Sequence, residues 1–190
     1  MPADAFEWIY LAGLLAAEAI RFAYRTLAAR EEPAWPLGSL LDALAFLGRA
    51  AVPLVYVLTP WLDAVNEPLP ATLNWTGAAA LAGVPILLWR AYADLGRGEE
   101  SPGPVVSRSF VARGVYRYVR HPVYTALWLL GIAQALLLPN WIAGLAGLAG
   151  LMPLYLNRVP RDEELMLTRF GDEYRAYVER TGSVFPRLRR

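Results

Sequence analysis

The sequence predicts an all-α integral membrane protein with five transmembrane helices, and three observations carry that prediction. The first is composition: of 190 residues, 56% are hydrophobic and only 18% charged, too apolar for an ordinary soluble domain. The second is the run from Val123 to Asn157, which contains no charged side chain. It is far longer than the ~20 residues of one crossing and is interrupted by Pro139-Asn140, a pair that favours a turn. It therefore reads as a helical hairpin, spans four and five. The third is the placement of arginine. Arginines fall in the first connection (Arg21, Arg25, Arg30), the third (Arg90, Arg97, Arg108, Arg113, Arg117, Arg120) and the C-terminal tail, and are missing from the second connection and the hairpin tip. Five spans make those connections alternate sides in step with the arginines. The positive-inside rule then places the N-terminus outside and the C-terminus in the cytoplasm.

Taken in order, the first span is Phe6 to Leu27. The acidic start, Asp4 and Glu7, is the wrong sign for a cleaved leader, so the span is expected to be retained. Glu18 and Arg21, three apart in its second half, are placed to pair on one helix face. The linker Ala29 to Pro36 holds two prolines and breaks the chain. The second span, Leu37 to Leu62, carries Asp42 and Arg49 two turns apart on one face. Charges inside a membrane mark bundle-facing or functional positions, whereas near a span's start they are interfacial; both readings stand. The loop Asp63 to Pro70 is short and acidic. Ala71 to Trp89 is the third span, with a kink expected at Pro85, and Arg90 to Arg120 is a polar connection. Spans four and five cover 123–138 and 140–157. In the fifth, Gly144, Gly147 and Gly150 make a small-residue strip that admits a closely packed helix. After it, Glu163-Glu164 opens a cytoplasmic amphipathic helix on which Leu167, Phe170, Tyr174 and Tyr177 recur at helical spacing, as a helix lying along the membrane surface requires. The whole, 1–190, reads as one domain, with a charged tail from Arg161 to Arg190.

Composition also narrows the chemistry. With no cysteine and one histidine, disulfides, thiolate nucleophiles, thiolate metal sites and His-rich metal sites are excluded. The arginines are interleaved with acids over several loops rather than gathered into a stripe, which argues against nucleic-acid binding. The hairpin returns the single histidine, His121, to the same membrane face as Arg158 and the cluster Asp162-Glu163-Glu164. Singly, His121 reads as an interfacial histidine, Glu163 as a carboxylate complementing a helix dipole, and the tyrosines as interfacial anchors. Together they make a polar pocket at the cytoplasmic face.

The ordered set of residues carries a resemblance. Gly114-Val115-Tyr116, then Arg120-His121-Pro122 and Tyr124, are followed by a charge-free hairpin. Beyond it stand Arg158-Val159 with Asp162-Glu163, then Phe170-Gly171-Asp172-Glu173-Tyr174 and Tyr177, ending at Pro186. From about Asp94 to Pro186 this resembles the isoprenylcysteine carboxyl methyltransferase family, part of a wider group of integral-membrane methyltransferases that includes phospholipid N-methyltransferases. The five-span length resembles its small prokaryotic members. The resemblance implies S-adenosylmethionine as methyl donor, with S-adenosylhomocysteine as product, bound at the cytoplasmic side of a prokaryotic cytoplasmic membrane by a part of the chain covering about 94–186. It implies that Tyr116, Arg120, His121, Pro122 and Tyr124 contact the donor, with His121 near its methionine carboxylate. It places Glu163, or Glu164 as substitute, at the donor's ammonium, and Arg158 at the lipid-side entrance, gripping the carboxylate of a lipophilic or prenylated acceptor that enters from the bilayer. Arg158 and Glu163 are thereby the expected catalytic pair. A phospholipid or other lipid amine is the alternative acceptor, and a non-catalytic membrane protein of the same fold the third possibility. The chain departs from the family in two places: Leu95-Gly96 is not followed by the usual Trp-Ser pair, and Asp162 replaces the first glutamate of the usual acidic pair.

Overall fold

A computed structural model describes residues 3–27, 36–96 and 110–187. The expected linker from Ala29 and the Arg97–Arg108 part of the third connection lie outside these residues. The described chain is helical: α1 (Ala3–Leu27), α2 (Pro36–Phe46), a π-helical turn (Leu47–Ala51), α3 (Val52–Leu58), α4 (Ala71–Gly96), α5 (Pro122–Leu137) and α6 (Trp141–Arg180), with short 3-10 turns at Pro60–Val65 and Gly114–Arg117. Among the described residues three stretches are long and apolar enough to cross a membrane, Leu40–Leu58, Ala71–Gly96 and Trp141–Arg180, while α5 is a shorter apolar helix. Its 16 residues span ~24 Å at 1.5 Å per residue.

Each helix buries one stripe. On α1 the buried positions include Phe6, Tyr10, Leu14 and Ala17, and on α4 they include Leu81, Val84, Leu88 and Ala91, both at the three-to-four spacing of a single helix face. These faces pack together, and α4 makes its most extensive contact with α5, which in turn packs on α6. Leu15 and Phe22 on α1, Ile86 and Trp89 on α4, and Leu145, Met152 and Leu156 on α6 remain exposed, as lipid-facing side chains would. The glycine strip of α6 does the packing expected of it. A Cβ on Gly150 would come 2.5 Å from the Leu44 carbonyl oxygen of α2, and one on Gly147 would overlap the Gln134 amide of α5.

The expected second span is not one regular helix. It passes through the π turn, then reaches extended backbone at Thr59. A π turn frees carbonyls from the regular ladder, and here they are taken by buried side chains. Gln134 donates through Nε2 to the Gly48 oxygen (2.9 Å) and to the Ala143 oxygen (2.6 Å). The Tyr10 hydroxyl lies 2.5 Å from the Arg49 carbonyl oxygen and 2.8 Å from Gln134 Oε1, so its one proton serves both. Tyr10 and Gln134 are each 0% exposed. Burying an amide without partners costs roughly 2–7 kcal/mol; satisfied on every side, Gln134 instead ties α1, the π turn, α5 and α6 into one unit.

At the hairpin tip Asn140 caps α6 by accepting from the Ala143 N–H (2.9 Å). It also donates to the Leu62 oxygen and to Asn66 Oδ1, both at 2.7 Å. Beyond the apolar run, α6 does not stop at the acidic cluster and restart. It continues through Phe170 and breaks only at Gly171 (φ 52°, ψ −125°). Leu165, Met166 and Leu167 are exposed on the continuous part, whereas Tyr174 and Tyr177 beyond the break are buried. The expected stripe therefore divides at the glycine. Only glycine adopts this backbone conformation at low cost. Gly171→Ala is expected to lose about 1–3 kcal/mol, read as a lowered thermal midpoint. Gly171 has no atom within 4 Å of where a Cβ would stand, so a loss would report backbone strain rather than a clash.

Candidate functional site

The lead-in to α5 is built by residue order. His121 precedes a proline, which bars it from helical backbone; it takes φ −124°, ψ 62° and becomes the N-cap. Pro122, buried, occupies the first helical position, where its missing N–H costs nothing. The His121 side chain thus stands over the start of α5 and meets α6. Its Nε2 lies 3.1 Å from Glu163 Oε1, and Arg120 Nε donates to the same oxygen at 2.9 Å. The expected meeting of His121 and Glu163 across the hairpin is present.

Arg120 does more than contact Glu163. Its Nη1 donates to the Thr181 oxygen (2.6 Å) and the Val178 oxygen (3.2 Å). Around it the chain after α6 folds back on the lead-in: Arg120 N donates to the Gly182 oxygen (2.8 Å), His121 N to the Ser183 oxygen (3.0 Å), and Gly182 N to the Tyr118 oxygen (3.2 Å). Thr125 Oγ1 adds a bond to the Val184 oxygen (2.8 Å). The C-terminal segment is therefore a clasp that fixes residues 118–121, a role the sequence did not signal beyond the position of Pro186.

Tyr116 is held from two sides. Its carbonyl accepts from the Tyr177 hydroxyl (2.6 Å), and the neighbouring Val115 N–H donates to Asp94 Oδ2 (2.9 Å). Asp94 is buried at the end of α4, and Gly114 (φ 57°) passes so close that a Cβ there would overlap its carboxylate. Asp94 escaped the sequence reading; the usable signal was an acid at a helix end paired with a glycine opening the next element. Phe110 packs edge-on to Phe170 and Tyr174, ring centroids 5.4 Å apart in each case. Burial pushes the Tyr174 hydroxyl up to about 12 and those of Tyr116 and Tyr177 higher, so all three stay phenols at neutral pH.

Arg158 and Asp42 pair across α6 and α2 at 3.2 Å, each about one-third exposed (33% and 37%). The two charges read as sharing a face of the second span therefore part company: Asp42 meets Arg158, while Arg49 meets Glu18 at 2.7 Å. Glu18 also reaches Arg21 at 3.8 Å, the expected spacing-three pair. Tyr124 stands edge-on to His121, ring centroids 6.2 Å apart. Glu164 lies on the exposed side of α6, about 100° round the helix from Glu163.

Burial, outweighing Glu163, lowers the His121 pKa below its ordinary 6.5. At neutral pH the ring is uncharged and Glu163 only accepts, so the ring proton sits on Nε2 and Nδ1 presents its lone pair. A depressed folded-state value means that the contribution to stability is complete above pH 6.5 and is lost as pH falls through the folded value. With one histidine in the chain, the imidazole NMR signal is unambiguous. It is expected to titrate with a midpoint below 6.5, and His121→Gln to flatten the thermal midpoint's dependence on pH just below 6.5; a midpoint above 6.5 would show that Glu163 outweighs burial.

Chemically, the cluster offers one carboxylate oxygen, Glu163 Oε2, beside a guanidinium and an imidazole. That combination suits a zwitterionic amino-acid end. Two comparisons bear on it. Residues 105–168 match the model of the isoprenylcysteine carboxyl methyltransferase (ICMT) family. Over 76 residues, 40% of this chain, the sequence is 30% identical to a protein-S-isoprenylcysteine O-methyltransferase of Schizosaccharomyces pombe, covering 32% of that protein. It is 29% identical to protein-S-isoprenylcysteine O-methyltransferase B of Arabidopsis thaliana, covering 39% of it, and 29% to a probable enzyme of the same name from Oryza sativa subsp. indica, covering 40%. The match thus spans about a third to two-fifths of the length of these curated relatives. Arg120, His121, Arg158 and Glu163 all fall inside the segment matched by the family model, and over that segment the chain is similar to the isoprenylcysteine carboxyl methyltransferase family.

Proposed function

We propose that this chain is an integral-membrane, S-adenosylmethionine-dependent methyltransferase that esterifies the carboxylate of a lipophilic, isoprenylcysteine-like acceptor reaching the site from the bilayer. The observation that carries this reading is the Glu163–His121–Arg120 cluster, formed across the hairpin by residues of the family-matched segment. On this reading the chain is one domain of five spans, with α1 and α5 completing the three longer ones. The N-terminus is outside and the site faces the cytoplasm of a prokaryotic cell.

The donor set fits the cofactor. Both partners of Glu163 meet Oε1, which leaves Oε2 for an ammonium, while the Arg120 guanidinium borders the carboxylate end and Tyr116, His121 and Tyr124 line the site. Glu164, on the exposed side, is the less suitable holder of the ammonium. The cofactor supplies a methyl group activated on a sulfonium. The protein's part is placement: Arg158 grips the acceptor carboxylate through parallel hydrogen bonds and exchanges Asp42 for it, a modest cost for a partly exposed pair. A carboxylate is already a nucleophile, so holding one oxygen in line with the methyl accounts for most of the acceleration.

One observation favours a second reading, methylation of a phospholipid or other lipid amine. An ammonium must shed a proton before it can attack, and neutral His121, held by Glu163 through Nε2–H, offers Nδ1 as the base. Calorimetry of S-adenosylmethionine and S-adenosylhomocysteine binding to the detergent-purified protein, followed by labelled-methyl transfer to lipophilic acids and amines, tests both. Micromolar binding and transfer to acids is the expected result. No binding to folded protein would sink both readings and leave a non-catalytic membrane protein.

A further inference from the structure

Directly beneath the donor cluster the α5–α6 seam is aromatic. His121, Tyr124 and Trp128 succeed one another on one face of α5, and Tyr155 of α6 stands between the last two, its ring centroid 5.9 Å from Tyr124 and 5.7 Å from Trp128. Tyr155 shares its helix face with Arg158 and Asp162, at spacings of three and seven. The seam thus runs from charged groups at the membrane surface into a cluster of packed aromatic rings.

Within that cluster Trp128 Nε1 is screened from solvent and has no hydrogen-bond acceptor among the described residues. Arg21 Nε and Nη1 are screened in the same way, but that guanidinium has Glu18 within ion-pair reach at 3.8 Å, and other buried donors in the bundle are hydrogen-bonded. Both N–H groups of Gln134 and the hydroxyl of Tyr10 have acceptors, as does the Asn74 amide on the Leu136 oxygen. A buried donor left unmatched costs about 1–3 kcal/mol and calls for a specific account. Trp128 lies seven residues into α5 from His121, ~10 Å along the axis. Helical side chains lean toward the N-terminus, here toward the donor cluster, which brings the indole nearer to it than the helix rise alone.

We propose that Trp128 Nε1–H holds a carbonyl-type oxygen of the acceptor, a few bonds from the atom that is methylated, making Trp128 a residue that selects acceptors bearing an amide or ester over plain hydrocarbon acids. The proposal rests on the methyltransferase reading above. The donor cluster is untouched by it, since Trp128 is not among the residues placed there.

The test compares the full-length protein with Trp128→Phe, which keeps an aromatic ring and removes the N–H, on two acids. One is N-acetyl-S-farnesylcysteine; the other is S-farnesyl-3-mercaptopropionic acid, the same acid without the amide. The variant is expected to raise KM for the amide-bearing acid about fivefold to tenfold, the worth of one hydrogen bond. Its kcat, its KM for the amide-free acid and its calorimetric donor affinity are expected to stay as in the wild type. Equal KM changes for both acids would show a packing role and overturn the proposal. So would unchanged KM values with a lowered thermal midpoint, which would mean that the N–H is spent on the Tyr155 ring. A wild type that binds donor and methylates neither acid would remove the carboxyl-methylation reading and the proposal together, whereas transfer that ignores Trp128 removes the proposal alone.

Discussion

Glu163→Gln is expected to weaken S-adenosylmethionine binding at least thirtyfold while leaving the protein folded. The substitution keeps an oxygen for Arg120 and His121 but removes the negative charge proposed to hold the donor's ammonium. Truncating one partner of a buried, hydrogen-bonded charge pair costs about 2–5 kcal/mol, and every 1.4 kcal/mol is tenfold. The fold is protected because Arg120 retains the Val178 and Thr181 oxygens, so the clasp on residues 118–121 does not depend on Glu163 alone. Glu164→Gln is the matched control, one position along the same helix and exposed; its affinity is expected to equal the wild type. Calorimetry on all three proteins reads the result directly. Equal losses at both positions would point to the general acidity of this stretch, and an undiminished Glu163→Gln would remove Glu163 from the donor site.

The parts of this arrangement legible in the sequence were those fixed locally. A proline after His121 dictates where α5 starts, and Pro139-Asn140 between apolar runs dictates where it turns back. Once the hairpin is drawn, His121 and Glu163 must approach each other, because both sit just outside its open end. What the sequence did not disclose depends on tertiary partners. Nothing local marks Leu47–Ala51 as a π turn: its freed carbonyls are stable only because Tyr10 and Gln134, far away in sequence, reach them. Asp42 and Arg49 would share a face of a regular helix, but Arg49 lies in the π turn and their partners come from α6 and α1 respectively. The return of Gly182 and Ser183 to the lead-in is main-chain pairing, which carries no side-chain signature. Likewise the amphipathic pattern from Leu167 to Tyr177 was real as a period and misleading as one stripe, because the glycine at 171 redirects the helix midway.

These non-local ties also explain why a chain with a matched segment of only 105–168 needs its N-terminal half. Residues α1 to α4 contribute few of the groups proposed for chemistry, but they hold the frame. Asp94 fixes the turn before Tyr116, the Gly48 carbonyl holds Gln134 on α5, and the Arg49 carbonyl holds Tyr10. Asp42 sets the resting position of Arg158.

Arg158→Ala is the second large effect and the one that separates the two acceptor chemistries. With a carboxylic acid as acceptor, removing the guanidinium leaves the substrate's charge without its partner at a partly desolvated site. The expected cost of about 2–5 kcal/mol lowers kcat/KM by thirtyfold or more, with donor affinity unchanged because Arg158 pairs with Asp42 rather than with the Glu163 cluster. With an amine as acceptor the same variant has the opposite tendency. It frees the Asp42 carboxylate, which suits a cationic substrate, so activity is expected to be spared or raised. Asp42→Asn provides the complement: loss of the Asp42 carboxylate removes one competitor for Arg158, favouring acids and penalising amines. Initial-rate kinetics with a labelled methyl group, run on one lipophilic acid and one lipid amine for each variant, give a crossed pattern if Arg158 is the carboxylate clamp. Parallel losses on both acceptors would instead make the Arg158–Asp42 pair a brace between α2 and α6, and the acceptor's carboxylate would have to be held elsewhere along the seam.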